Sequence, residues 1–137
     1  MNVLKYFAER FGIPESLFDE FGIYAGPKGR VYLGPKKLPD KPDIVSPGLL
    51  IARAESAVKP TTNFLQLFGK HATKNIISLS KEQAVSYAKG EDLRIPSENE
   101  GYVIVEYSGN FLGCGMLKSG ILINQIPKAK RQLVKYI

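Results

Sequence analysis

The chain has 137 residues, of which 44% are hydrophobic, and a formal net charge of +6. This length suits one domain, or a domain with a small appendage, burying about two-thirds of the surface of its unfolded chain without a disulfide or metal. A single cysteine, Cys114, excludes an intrachain disulfide, and one histidine with one cysteine leaves no ligand set for structural zinc.

Val3, Leu4, Phe7 and Ala8 form one helical stripe, which predicts a helix over 2–10 stopped by Gly12. Pro14-Glu15 opens a second short helix with Leu17, Phe18 and Phe21 as its apolar side, closed by Gly22. Strands are expected over 22–25 and 30–33, joined by the turn Gly26-Pro27-Lys28-Gly29. Residues 34–47 hold four of the nine prolines, so they read as a linker. This predicts an N-terminal piece, 1–46, of helices, hairpin and linker, followed by a domain over 47–137. A strand follows at 48–54. Thr61 is placed to cap a helix whose apolar face is Phe64, Leu65, Leu67 and Phe68, ended by Gly69. A short strand at 75–79 leads to Ser80 and Gln83, the capping-box spacing, and a helix over 81–89 closed by Gly90. Residues 91–95 add a short extended piece, its Glu91-Asp92 pair reading as a solvated turn. The last third is a meander: strands at 102–107, 111–118 and 121–124, with turns at Ser108-Gly109-Asn110 and Ser119-Gly120.

Gly113 and Gly115 stand two apart on one strand and share a face, so something approaches that face closely, and barrel curvature is the plainest cause. Short strands with few crossover helices disfavour a doubly wound sheet. The expected fold class is α+β: a small mixed β-barrel with short helices, preceded by a small N-terminal α/β appendage.

The chemistry of most enzyme classes is missing. No Walker loop is present, and the glycines of 109–115 lie inside a meander rather than before a helix. His71 has no assignable nucleophile, and Cys114, between two glycines, reads as a small buried filler. The chain is expected to be no enzyme and to carry no cofactor and no metal. No apolar run approaches the about 20 residues of a membrane span, and MNVLKYFAERFG has no targeting pattern, which leads to the expectation of a cytoplasmic protein without a membrane partner.

The charge is segregated. Lys28, Arg30, Lys36 and Lys37 lie in one stretch free of acids, and Lys59, Lys70 and Lys74 in another. From Gly101 onward Lys118, Lys128, Lys130, Arg131 and Lys135 face one acid, Glu106. This predicts a basic face suited to a polyanion.

The stretch GYVIVEYSGNFLGCGMLKSGILINQIPKAKR (101–131), with Leu112, Gly113, Gly115, Gly120, Asn124, Pro127, Lys128 and Arg131, resembles the PUA-like RNA-binding domain. It is most similar to the version attached to Sun-type (NOL1/NOP2/sun family) RNA cytosine-5 methyltransferases. The block 59–93 is similar to the same domain at Thr61, Thr62, Asn63, Gly69, Ala72, Asn75 and Gly90, so the resemblance covers roughly 48–131. It implies a PUA-like barrel that binds RNA. Those methyltransferases also carry a large cofactor-binding domain with catalytic cysteines, and nothing here matches it, so the activity does not carry over. The two-part plan also loosely resembles small ribosome-biogenesis proteins with a terminal PUA domain.

Residues and resemblance together point to a non-catalytic protein that binds structured RNA, tRNA or rRNA, in RNA modification or ribosome biogenesis. Candidate RNA contacts are Lys70, His71, Thr73, Lys74 and Asn75, with Gly69 allowing close approach of a phosphate. Lys128, Lys130 and Arg131 form a second group, and Lys28 and Arg30 a third. Gly113, Gly115 and Gly120 are structural glycines. Tyr24 and Tyr32 sit beside basic turns, where a ring can stack on a base. The alternative is a protein-interaction subunit docking onto an RNA-modifying enzyme or ribosome-assembly factor through Phe7, Phe11, Phe18 and Phe21.

Overall fold

The computed structural model describes residues 2–37 and 48–128. Asn2 caps the first helix, α1 (Val3–Phe11), its side chain accepting from the Lys5 N–H at 3.1 Å. Gly12 ends it in the left-handed conformation, φ 71°, and its N–H returns to the carbonyls of Phe7 and Ala8. After Pro14 a single 3-10 turn, Glu15–Phe18, stands where a second helix was expected. β1 (Phe21–Ala25) and β2 (Arg30–Pro35) flank a turn at Pro27–Gly29. Then come β3 (Leu49–Ala54), β4 (Val58–Pro60) and α2 (Thr62–Phe68), capped by Thr61. β5 (Ile76–Ser78) precedes α3 (Lys81–Ala88), which opens with a complete Ser80/Gln83 capping box. β6 (Leu93–Arg94), β7 (Gly101–Tyr107), β8 (Asn110–Lys118) and β9 (Ile121–Asn124) finish the described chain. The last two hairpins turn on Ser108-Gly109 and Ser119-Gly120, all four at positive φ, the geometry that matches strand twist.

The strands form two sheets. The first is antiparallel, in the order β1-β2-β3-β4. The second has the order β5-β7-β8-β9-β6 and is antiparallel except for the β5–β7 pair. Its edges, β5 and β6, are only three and two residues long and do not pair with each other. The architecture is therefore α+β with a curled half-barrel.

Two cores lie on opposite faces of the second sheet, as the uninterrupted apolar run Val103-Ile104-Val105 requires. Ile104 and its cross-strand partner Cys114 face the first core, shared with Ile51, Ala52, Phe64 and Leu65. Val103 and Val105 face the second, with Tyr87, Leu117 and Leu122. Residues 2–37 supply two strands of the first sheet, and Val3, Phe7, Phe11, Ile13 and Phe18 all enter the first core. Phe7 stacks on Phe64 with ring centroids 4.3 Å apart. The expectation that Phe7, Phe11 and Phe18 form a docking surface is corrected: all three are buried, and of the four only Phe21 is exposed, at 42%. Phe7 and Phe18 pack instead on Phe64 and Phe68 of this chain's own α2.

The C-terminal end of α1 is clamped from far along the chain. The N–H groups of Thr73 and Lys74 both donate to the Phe11 carbonyl, at 2.8 and 3.1 Å. The Asn75 amide donates to the Arg10 carbonyl at 2.6 Å. Arg10 in turn donates to the carbonyls of Tyr102 and Glu100 at 2.8 and 3.0 Å.

Candidate nucleic-acid interface

The group around residues 70–75 divides in two. α2 ends at Phe68, and Gly69–His71 make one 3-10 turn. Gly69 is buried, and a Cβ there would lie 2.8 Å from the Phe111 ring. Its face is filled by Phe111, so the expected phosphate approach is replaced by packing. Asn75 and Lys74 serve the α1 clamp; the Lys74 ammonium donates to the Glu9 carbonyl at 3.2 Å. Lys70 is exposed, His71 half-buried and Thr73 exposed.

The N-terminal turn holds Lys28 exposed at φ 58° and leads into β2 with Arg30 half-buried. Register then does what the sequence could not show. Arg30 stands opposite Arg53 on β3, and Arg53 opposite Lys59 on β4. Directly opposed residues share a face, so three cations form a row across three strands. Among the described residues none of them makes an ion pair; Lys5–Glu9 is the pair within 4.0 Å. A bulge at Ile51, which has no partner between Leu50 and Ala52, lets both Ile51 and Ala52 be buried while Arg53 points out.

The row continues toward the end of the described chain. Arg53, Lys59, Thr61, Thr62, Gln125 and Pro127 line a cleft of about 80 Å³. Lys128 follows Pro127 and is exposed. The structure therefore brings Arg30 and Lys128 toward one side through Arg53 and Lys59. It leaves the 70–75 group before β5, with β7 and β8 between that strand and β9. Lys130 and Arg131 lie outside the described residues. Arg53 was missed from sequence. Strand alternation alone would misplace it, because the bulge shifts the phase by one residue.

The structural glycines are explained by protein contacts. A Cβ at Gly113 would lie 2.8 Å from the Tyr87 hydroxyl, and one at Gly115 would collide with the Leu122 side chain. Gly120 occupies its turn at φ 76° with nothing near. Asn124 is a structural hub: its amide donates to the carbonyls of Tyr87 and Glu91, at 2.8 and 3.0 Å. Its N–H donates to Asp92 at 2.8 Å, so the Glu91-Asp92 turn, exposed as expected, is also held by Asn124.

Nothing described assembles a reactive centre. Cys114 is buried, and burial pushes its thiol up to about 12, with the nearby charge of Lys59 opposing the shift. A thiol so raised is protonated at neutral pH and a poor nucleophile. Among the described residues no group of three or more His, Cys, Asp or Glu stands close enough to hold a metal ion. No described helix is long and apolar enough to cross a membrane.

Residues 74–132 match the family described as the methyltransferase RsmF PUA domain. The match begins just before β5 and takes in α3 and the whole half-barrel, somewhat less than half of the chain. α1, the first sheet and α2 lie outside it. No curated protein matches the chain.

Proposed function

We propose that this chain is a non-catalytic RNA-binding protein that holds tRNA or rRNA during RNA modification or ribosome assembly. The observation that carries the reading is the match of the half-barrel to a PUA domain. In this reading residues 47–137 form a PUA-like domain akin to that of Sun-type methyltransferases, and residues 1–46 buttress it. The protein works in the cytoplasm. The row of cations from Arg30 to Lys59 supports the same reading, because like charges in register, without ion pairs among the described residues, suit a polyanion.

Fluorescence anisotropy with labelled tRNA and an rRNA fragment tests it. Affinity should fall steeply as salt rises. Affinity no greater than that of an acidic control protein at low salt sinks the reading. Incorporation of labelled methyl groups into RNA by the pure protein would overturn the non-catalytic part.

One observation favours a second reading, docking onto an RNA-modifying enzyme. Phe21, Leu33, Leu49, Leu67 and Phe68 line an apolar groove of about 580 Å³, with Leu67 57% exposed. A salt-resistant complex with such an enzyme, lost on Leu67→Glu, would support docking.

A further inference from the structure

We propose that the outer face of the first sheet is a platform for single-stranded RNA, with Tyr24 and Tyr32 stacking on bases and Arg30, Arg53 and Lys59 holding phosphates. This rests on the RNA-binding reading and names the part of the RNA that the sheet takes. It concerns strands that lie outside the family match.

The register builds the face. Tyr24 stands opposite Tyr32. Arg30 is two residues before Tyr32 on the same strand and so shares its face. Arg53 and Lys59 continue that face across β3 and β4. The opposite face carries Leu33 and Ala52, which are buried in the first core. Tyr24 and Tyr32 belong to neither core.

The rings are laid flat by glycines. A Cβ at Gly22 would collide with the Tyr24 ring, and a Cβ at Gly26 would lie 2.9 Å from Tyr32 Cε2. Each tyrosine therefore leans over bare backbone on its own face of the sheet. The Tyr24 hydroxyl also donates to the Pro35 carbonyl, which pins the ring. A ring packed against backbone on one side offers its other π-face to a ligand, and every base has a π-face to match.

The cations need an explanation of their own. Like charges directly opposite each other on a sheet are destabilising. Glu55, the residue after β3, packs its side chain on Gly29 without pairing to Arg30 or Arg53. Two aromatic rings beside a row of cations that makes no ion pair among the described residues fit a ligand with alternating flat bases and phosphates. An acidic peptide would leave the rings unused, and a duplex buries its base faces.

The test uses the whole chain and two RNA hairpins of the same stem, one blunt and one with a ten-nucleotide single-stranded tail. Wild-type protein should bind the tailed hairpin more tightly. Tyr24→Leu with Tyr32→Leu should weaken tailed-hairpin binding about ten- to a hundredfold and leave the blunt hairpin unchanged. Arg53→Gln at an exposed position with Lys59→Gln at a half-buried one should lower the salt slope for the tailed hairpin by about one to two units. Thermal melting of each variant separates lost binding from lost folding. Equal wild-type affinity for both hairpins overturns the platform and leaves RNA binding standing. So does a tail advantage that survives both double variants. Binding to neither hairpin overturns the platform and the RNA reading together.

Discussion

The Tyr87 hydroxyl donates a 2.7 Å hydrogen bond to the Cys114 carbonyl, passing over Gly113 to reach it. This ties α3 to the middle of β8 through a side chain with no exposed surface. Tyr87→Phe keeps the ring and leaves a buried carbonyl without its partner. It should destabilise the protein by about 1–3 kcal/mol, read as a lower denaturant midpoint with an unchanged slope.

The two glycines of β8 and the glycine of the last turn should respond differently. Gly113→Val meets Tyr87 and Thr62, and Gly115→Val meets Leu122 and Val105. Each should cost about 1–3 kcal/mol or more and lower the melting temperature markedly. Gly120→Ala meets nothing; its cost comes from φ 76° alone, about 1 kcal/mol. RNA binding by the Gly120 variant should match the parent.

Cys114 makes stability depend on pH in the alkaline range. Its folded-state thiol is raised from 9.0 to about 12, so the unfolded chain releases this proton first. The native state then binds more protons, and stability falls as pH rises from about 9 toward 12, by up to about 1.4 kcal/mol per pH unit. The contribution is fully present below pH 9. Denaturant melts at pH 8, 9 and 10 should show this slope in the parent and a shallower one in Cys114→Ala. Thiol alkylation at pH 8 should be slow in the native protein and fast in denaturant.

Within residues 70–75, stability and binding should separate. Asn75→Ala removes the donor to Arg10 and should cost about 1–2 kcal/mol. Lys70→Ala should leave melting unchanged, since Lys70 is exposed and its side chain makes no hydrogen bond or ion pair among the described residues. A fall in RNA affinity for Lys70→Ala alone would place this turn in the interface.

Lys128→Ala with Arg131→Ala removes two charges, of which Lys128 directly follows Pro127 of the Arg53–Lys59 cleft. The slope of log affinity against log salt should fall by about 1.5 units, each phosphate contact carrying about 0.7 to 0.9. Weakening should be similar across RNA sequences.

What was legible in the sequence was local. The Gly12 stop, the Ser80/Gln83 box and the Ser-Gly turns depend on residues within a few positions, and each lies where its chemistry predicted. β4 was invisible, being three residues that end in proline. The parallel β5–β7 pair was equally hidden, because it joins segments nearly thirty residues apart whose pattern does not name a partner. The site suffered for the same reason. Arg30 and Lys128 could be read as basic, but Arg53 and Lys59 are linked to them only by register and by a bulge. Asn75 looked like a free donor because the α1 carbonyl it serves is 65 residues away.

The connection between Lys37 and Gly48 joins β2 to β3, which already pair along Arg30–Leu33 and Leu49–Arg53. A protease cut in that connection breaks none of the backbone ladder, the Phe7–Phe64 stack or the Asn75–Arg10 hydrogen bond. The nicked chain should therefore run as one particle on a sizing column and come apart only in denaturant. The two pieces, expressed separately, have what they need to find each other, and new chain ends can be opened here without dismantling either sheet.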